Sequence, residues 1–193
     1  MGVRFNFPLF LTWLRIVAIP VFVAVLYFPE EWLTSRQANV LSMWIFIIAA
    51  VTDWLDGWLA RRWNQTTPFG AFLDPVADKL MVAAALIVLT EFGRIYALVA
   101  LIIIGREITI SALREWMAHI GRSKSVAVNM AGKVKTVAQL VAIPFLLFDD
   151  VLFGLFHTRP VGHVLIWIAA GITLWSMAVY LKAAWETGAI NEK

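Results

Sequence analysis

The chain has 193 residues, of which 61% are apolar and only 15% charged, against roughly 45–50% and roughly 25% in soluble domains. That balance excludes a disordered, collagenous or coiled-coil chain, and it leaves too few charges to cover a water-soluble globule. The net charge is +3, and the absence of cysteine excludes disulfides, thiolate metal sites and a cysteine nucleophile.

Six apolar stretches follow in chain order, at 8–28, 38–61, 73–93, 95–116, 131–149 and 161–183. Each is close to the roughly 20 residues that a helix needs to span a bilayer. Strands of a membrane barrel would alternate over about 10 residues, and these do not. The predicted fold is therefore an all-α integral membrane protein, a single domain over 1–193 with six transmembrane helices. The first stretch contains Arg15 and lacks a small-residue cleavage site, so no cleaved signal peptide is expected. The third and fourth stretches are separated only by a tight break around Glu91, Phe92, Gly93 and Arg94. The linkers are short, with no repeat or low-complexity tract.

Orientation follows from the basic residues. With the N-terminus inside, inner ends and loops hold thirteen Lys and Arg, including Arg61, Arg62, Arg122 and Lys124, while the outside holds only Arg36, Arg94 and Arg159. This positive-inside bias predicts both termini in the cytoplasm. The outer loops instead carry Glu30, Glu31, Asp149 and Asp150, and Trp32, Trp63, Trp116 and Trp185 fall near span ends as interfacial anchors. The positive charge is accounted for by topology and phosphate handling, with no nucleic-acid partner. His119, His157 and His163 have no ligand spacing.

Charges within membrane spans are costly and by default functional. Asp53 and Asp56 lie near the inner end of the second stretch, and Asp74 and Asp78 near the inner start of the third. At ~1.5 Å per residue, Asp53 is about 12 Å from Arg61 and Asp78 about 9 Å from Phe72. Antiparallel neighbours would bring all four carboxylates to one depth. The i, i+3 and i, i+4 spacings put each pair on one helix face. Four adjacent carboxylates cannot all stay ionised without cations, and hard oxygen ligands suit Mg²⁺, Mn²⁺ or Ca²⁺. The plainer alternative is pairing with Arg61, Arg62 and Lys79 as neutral inter-helix glue.

Asp53-Trp-Leu-Asp56-Gly57-Trp-Leu-Ala60-Arg61, eight residues, Gly70, three residues, Asp74, three residues and Asp78 resembles the CDP-alcohol phosphotransferase signature, D-x2-D-G-x2-A-R-x8-G-x3-D-x3-D, at all eight fixed positions. The resemblance implies a six-helix membrane domain, commonly a homodimer, with its site facing the cytoplasm. It also implies transfer of a phosphatidyl or similar group from a CDP-linked donor to an alcohol, with release of CMP. Segments at 61–65, 108–117 and 132–136 are similar to the bacterial branch of the family that joins CDP-diacylglycerol to sn-glycerol 3-phosphate, which implies an inner-membrane enzyme. The first stretch, from Asn6 to Arg15, resembles an N-x-P-N-x-L-T-x-x-R pattern, with Leu9 standing where that pattern has its second Asn.

Asp53, Asp56 and Asp74 are the principal candidate metal ligands, with Asp78 shared, and Asp74 and Asp78 are the catalytic candidates; by this resemblance Asp78 is also the general base, and Gly57, Ala60, Arg61 and Gly70 lie on the CDP side. Close helix packing is the alternative for Gly57 and Ala60. Two Mg²⁺ or Mn²⁺ ions would serve the attacking and leaving oxygens together. No serine lies inside the motif, which favours direct displacement over a covalent intermediate. The acceptor's phosphate needs a basic pocket, for which Arg106, Arg114, Lys133 and Lys135 are the candidates. Pairing of Arg114 with Glu107 and snorkelling of the lysines are the alternatives. Thr12 and Arg15 share a face, to border the headgroup or to complete an ion pair. Two other functions compete. One is a transferase of the same family with serine, inositol phosphate or phosphatidylglycerol as acceptor. The other is a divalent-cation transporter, against which stands the lack of matching repeat halves.

Overall fold

The structure, a computed structural model, describes residues 7–63, 67–119 and 130–186. Among them are six helices: α1 (Phe7–Leu26), α2 (Ser35–Trp63), α3 (Pro68–Glu91), α4 (Ala97–His119), α5 (Met130–Phe148) and α6 (Thr158–Glu186). Each covers one of the six apolar stretches, with ends that move by a few residues. The sequence reading missed a short antiparallel hairpin between α5 and α6, β1 (Val151–Leu152) and β2 (Phe156–His157).

The helix ends follow from local chemistry. Thr34 and Gln37 form a reciprocal capping box at the start of α2. The Thr34 amide donates to Gln37 Oε1 at 3.0 Å, and the Gln37 amide donates to Thr34 Oγ1 at 3.4 Å. At the start of α3, Thr67 Oγ1 accepts from the Gly70 amide at 3.0 Å, and Pro68 occupies the first turn, where no amide hydrogen is needed. The break after α3 is closed by Gly93 at φ +64°, with the Arg94 amide donating to the Leu89 carbonyl at 2.8 Å.

The helices wrap one apolar core. Phe22, Phe46, Leu86, Leu89, Val99, Ile103, Ile143, Leu146 and Ile166 are all fully buried in it or nearly so. α5 and α6 approach closely at Gly162, where a Cβ would stand 2.7 Å from Leu146 Cγ. The outward faces are apolar as well: Val17 and Val21 of α1, Ile48 and Val51 of α2, Val137 of α5 and Trp175 of α6 are exposed. Such a surface suits a lipid solvent. Three helices, over Leu9–Leu26, Ser35–Leu59 and Thr158–Lys182, are long and apolar enough to cross a membrane.

A polar clasp ties one end of the bundle. Arg94 is buried and donates to the carbonyls of Leu146 (3.2 Å) and Leu147 (2.7 Å), which close α5, and to Asn39 Oδ1 of α2 (2.7 Å). It also pairs with Asp149 at 3.4 Å. One guanidinium thus satisfies carbonyls that a helix end leaves without partners. At this end Arg36 pairs with Asp150, and Arg159 with Asp149.

Gly162→Ala should force α6 away from α5 and lower stability by about 1–3 kcal/mol, as overpacking does. Thermal unfolding of the purified protein in detergent would measure this, with Gly171→Ala, where a Cβ meets nothing within 4 Å, as the neutral control.

Candidate active site

At the end opposite the Arg94 clasp, α2 and α3 enclose a cavity of 470 Å³ lined by Asp53, Trp54, Asp56, Gly57, Asp74, Pro75 and Asp78. All four spaced carboxylates therefore open into one volume. Asp56 is buried, Asp53 and Asp74 are half-buried, and Asp78 is exposed into the opening.

Helix α1 reaches the acids that line the cavity. Arg15, itself buried, forks across the two acids of α2: Nη1 donates to Asp53 Oδ1, and Nη2 donates to Asp56 Oδ2. One turn earlier, Thr12 Oγ1 donates to Asp74 Oδ1 at 2.6 Å. The i, i+3 face of α1 thus holds three of the four carboxylates. The glue alternative named the wrong cation for the described residues. Lys79 donates to Ser111 Oγ of α4 and makes no ion pair with the four acids among the described residues, though it lies within electrostatic reach of Asp78, and Arg62 is exposed. Asp78 makes no hydrogen bond or ion pair among the described residues, but it lies within electrostatic reach of Asp53, Glu107 and Lys135.

A second polar cluster joins α4, α5 and α6. Lys135 is buried against Glu107, with which it pairs. Arg106 is buried, donates to Ser176 Oγ at 2.8 Å and lies 3.4 Å from Glu107 Oε1. The Tyr180 ring sits between two guanidiniums, with Arg106 at 5.8 Å and Arg114 at 5.4 Å from its centroid. Arg114 is more exposed and donates to the Tyr180 hydroxyl at 3.3 Å. Glu107 therefore takes Lys135 and Arg106 as its partners, rather than Arg114.

The sequence reading names Glu107 only as a partner for Arg114, and it leaves out Ser176 and Tyr180. Glu107 was visible in principle, as an acid inside an apolar stretch. Ser176 and Tyr180 carry no charge and gave no such signal.

Of the other candidate residues, Gly57 lines the acid cavity. Gly70 is buried beneath Thr67 Oγ1, where a Cβ would come to 3.0 Å, with Leu9 Cδ1 at 3.9 Å. Its smallness therefore has a local cause in the helix cap. The side chains of Ala60, Arg61 and Lys133 lie outside the described residues.

The donor set fits a divalent cation. It consists of carboxylate oxygens alone, hard ligands with no thiolate or imidazole among them. Among the described residues, no three acids already stand in a metal-holding group. Arg15 takes one oxygen of each α2 acid instead.

The comparisons with known proteins point the same way. A model of the CDP-alcohol phosphatidyltransferase family matches residues 5–175. The chain is 51% identical over 183 residues to a protein of Salmonella paratyphi A named CDP-diacylglycerol–glycerol-3-phosphate 3-phosphatidyltransferase, covering 94% of this chain and 96% of that one. It is 52% identical, over the same shares of each chain, to proteins of that name from Escherichia coli (strain K12) and Shigella flexneri serotype 5b. With the family's spaced acids gathered in one cavity and most of the chain matched, this protein belongs to the CDP-alcohol phosphatidyltransferase family.

Proposed function

We propose that the chain transfers the phosphatidyl group of CDP-diacylglycerol to sn-glycerol 3-phosphate, giving phosphatidylglycerophosphate and CMP. The observation that carries this reading is the shared cavity of Asp53, Asp56, Asp74 and Asp78. The near-complete match to relatives named for this reaction supports it.

Family members generally use divalent metal ions. Here Asp53, Asp56, Asp74 and Asp78 would hold Mg²⁺ or Mn²⁺, two ions in our reading. Such ions neutralise charge on the donor diphosphate. Asp78 is the general base. It takes the proton of the acceptor hydroxyl as that oxygen bonds to the β-phosphorus, and the bond from that phosphorus to the bridging oxygen breaks to release CMP. Its exposure into the cavity, with no competing hydrogen bond among the described residues, suits that role. Gly57, Ala60, Arg61 and Gly70 form the nucleotide side.

The acceptor's phosphate meets Arg106, Arg114, Lys133 and Lys135. Lys135 lies within electrostatic reach of Asp78, and Arg106 within reach of Lys135, which supports an acceptor whose phosphate meets the basic residues while its hydroxyl meets Asp78. Glu107 holds Lys135 ready, and Ser176 and Tyr180 hold Arg106. Thr12 and Arg15 border the headgroup.

The whole chain acts as one domain in a bacterial cytoplasmic membrane. In our reading all six helices span it, both termini and the site face the cytoplasm, and the protein is a homodimer. α3, α4 and α5 carry charges of the two clusters, as spans that hold functional residues do.

CMP release from CDP-diacylglycerol in the presence of Mg²⁺ or Mn²⁺ tests the proposal. It should require glycerol 3-phosphate, and turnover with serine or inositol phosphate alone would overturn the acceptor assignment. Asp78→Asn should lower kcat by about 10²-fold or more while donor binding persists; full activity would remove Asp78 as the base. Lys135→Ala and Arg106→Ala should each raise the KM for glycerol 3-phosphate about tenfold or more, the scale of one lost charged hydrogen bond. Steady-state kinetics with each substrate varied in turn separates that from weakened donor binding.

A further inference from the structure

The mechanism above gives Arg15 no more than a place at the headgroup, yet its side chain is 1% exposed and forks across Asp53 and Asp56. We propose that Arg15 competes directly with a divalent cation for the carboxylates of Asp53 and Asp56, so that ion binding requires Arg15 to let go of them. The proposal rests on the reading of these acids as cation ligands.

Three observations carry it. The first is identity of the atoms. Nη1 and Nη2 engage Asp53 Oδ1 and Asp56 Oδ2, carboxylate oxygens of two residues that line the cavity where an ion would be ligated. A carboxylate oxygen that accepts a charged hydrogen bond gives one lone pair and part of its charge to that donor, and is a poorer ligand for an ion while it does so. The second is electrostatic need. Asp53 and Asp56 stand one turn apart on α2, and the Asp56 side chain is only 3% exposed. Such a pair is costly to keep charged without a cation between its members, and Arg15 supplies one from a different helix. The third is that the arrangement leaves Arg15 imperfectly satisfied, because its Nε is buried with no hydrogen-bond partner among the described residues. A buried donor without a partner carries an uncompensated desolvation cost. The clamp is therefore a compromise that a better cation can break.

The consequence is quantitative. If the acids are paired with Arg15 for most of the time, the apparent ion affinity is the intrinsic affinity reduced by the fraction of time they are released. Loosening the pairing should tighten ion binding and weaken the protein at the same site. Arg15 is in this sense a positioning residue. Its test is a binding measurement on the full-length chain in detergent micelles, with Mn²⁺ alone as probe and free Mn²⁺ followed by electron paramagnetic resonance.

Arg15→Gln should bind Mn²⁺ about tenfold or more tightly than the wild type, and without Mn²⁺ it should have a lower Tm. Arg15→Lys keeps the charge but loses the two-pronged fork, and should bind Mn²⁺ more tightly than the wild type, though less so than Arg15→Gln. If Arg15→Lys matches the wild type while Arg15→Gln binds tightly, the effect is general charge repulsion and competition for the oxygens is refuted. Unchanged Mn²⁺ affinity in both variants, with a Tm lowered equally with and without Mn²⁺, would reduce Arg15 to a structural tie. Failure of wild type and variants alike to bind Mn²⁺ would overturn the cation reading of the acids, and this proposal with it. Arg15→Lys keeps the test decisive if Arg15→Gln fails to fold.

Discussion

A carboxylate carried into an apolar helix bundle must meet a compensating charge or hydrogen-bond donor from another helix, and the architecture of this protein is organised around that requirement. Asp53, Asp56 and Asp74 project from α2 and α3, and the compensation comes from α1, through Arg15 and Thr12. The same logic recurs across the bundle, where Glu107 of α4 compensates Lys135 of α5, and Ser176 of α6 accepts from Arg106. In a medium without water each such pairing is close to obligatory. The polar residues therefore fix which helices are neighbours at this end, while Phe22, Leu89, Ile143 and their neighbours fill the space between the helices.

The two ends of the bundle use charge differently. At the Arg94 end the guanidinium is spent on fixed groups, the carbonyls that close α5, Asn39 and Asp149. This end holds the helices in register. At the other end the acids surround a cavity of 470 Å³, and Asp78 is left exposed into it. Unspent polar capacity is what distinguishes a reactive end from a structural one.

The chemistry we propose exploits this asymmetry. A lipid donor presents a charged diphosphate and apolar chains, and the protein presents an acid cavity opening beside helices with apolar outward faces. The acceptor is small and doubly functional, with a phosphate and a hydroxyl. Basic residues on α4 and α5, with Lys135 within electrostatic reach of Asp78, match that pattern. Orientation of two such reactants in one pocket accounts for much of what an enzyme of this kind must supply.

What the sequence determined by itself were the properties that depend on neighbours along the chain. Six apolar stretches long enough to span a bilayer, the eight spaced positions from Asp53 to Asp78 and the basic residues around them are all local patterns. A helix carries its spacing into three dimensions unchanged, so the gathering of the two aspartate pairs could be expected from rise and angle alone. The tertiary structure decided which side chains meet across helices. The partner of Asp53 is Arg15, 38 residues away, and that of Asp74 is Thr12, 62 residues away. The nearer cation Lys79 turns instead to Ser111. The hairpin at 151–157 and the seating of Tyr180 between two guanidiniums were likewise beyond the sequence. The physical reason is that helix periodicity fixes the face a residue occupies, whereas the partner it meets there depends on how the helices pack, which no local pattern encodes.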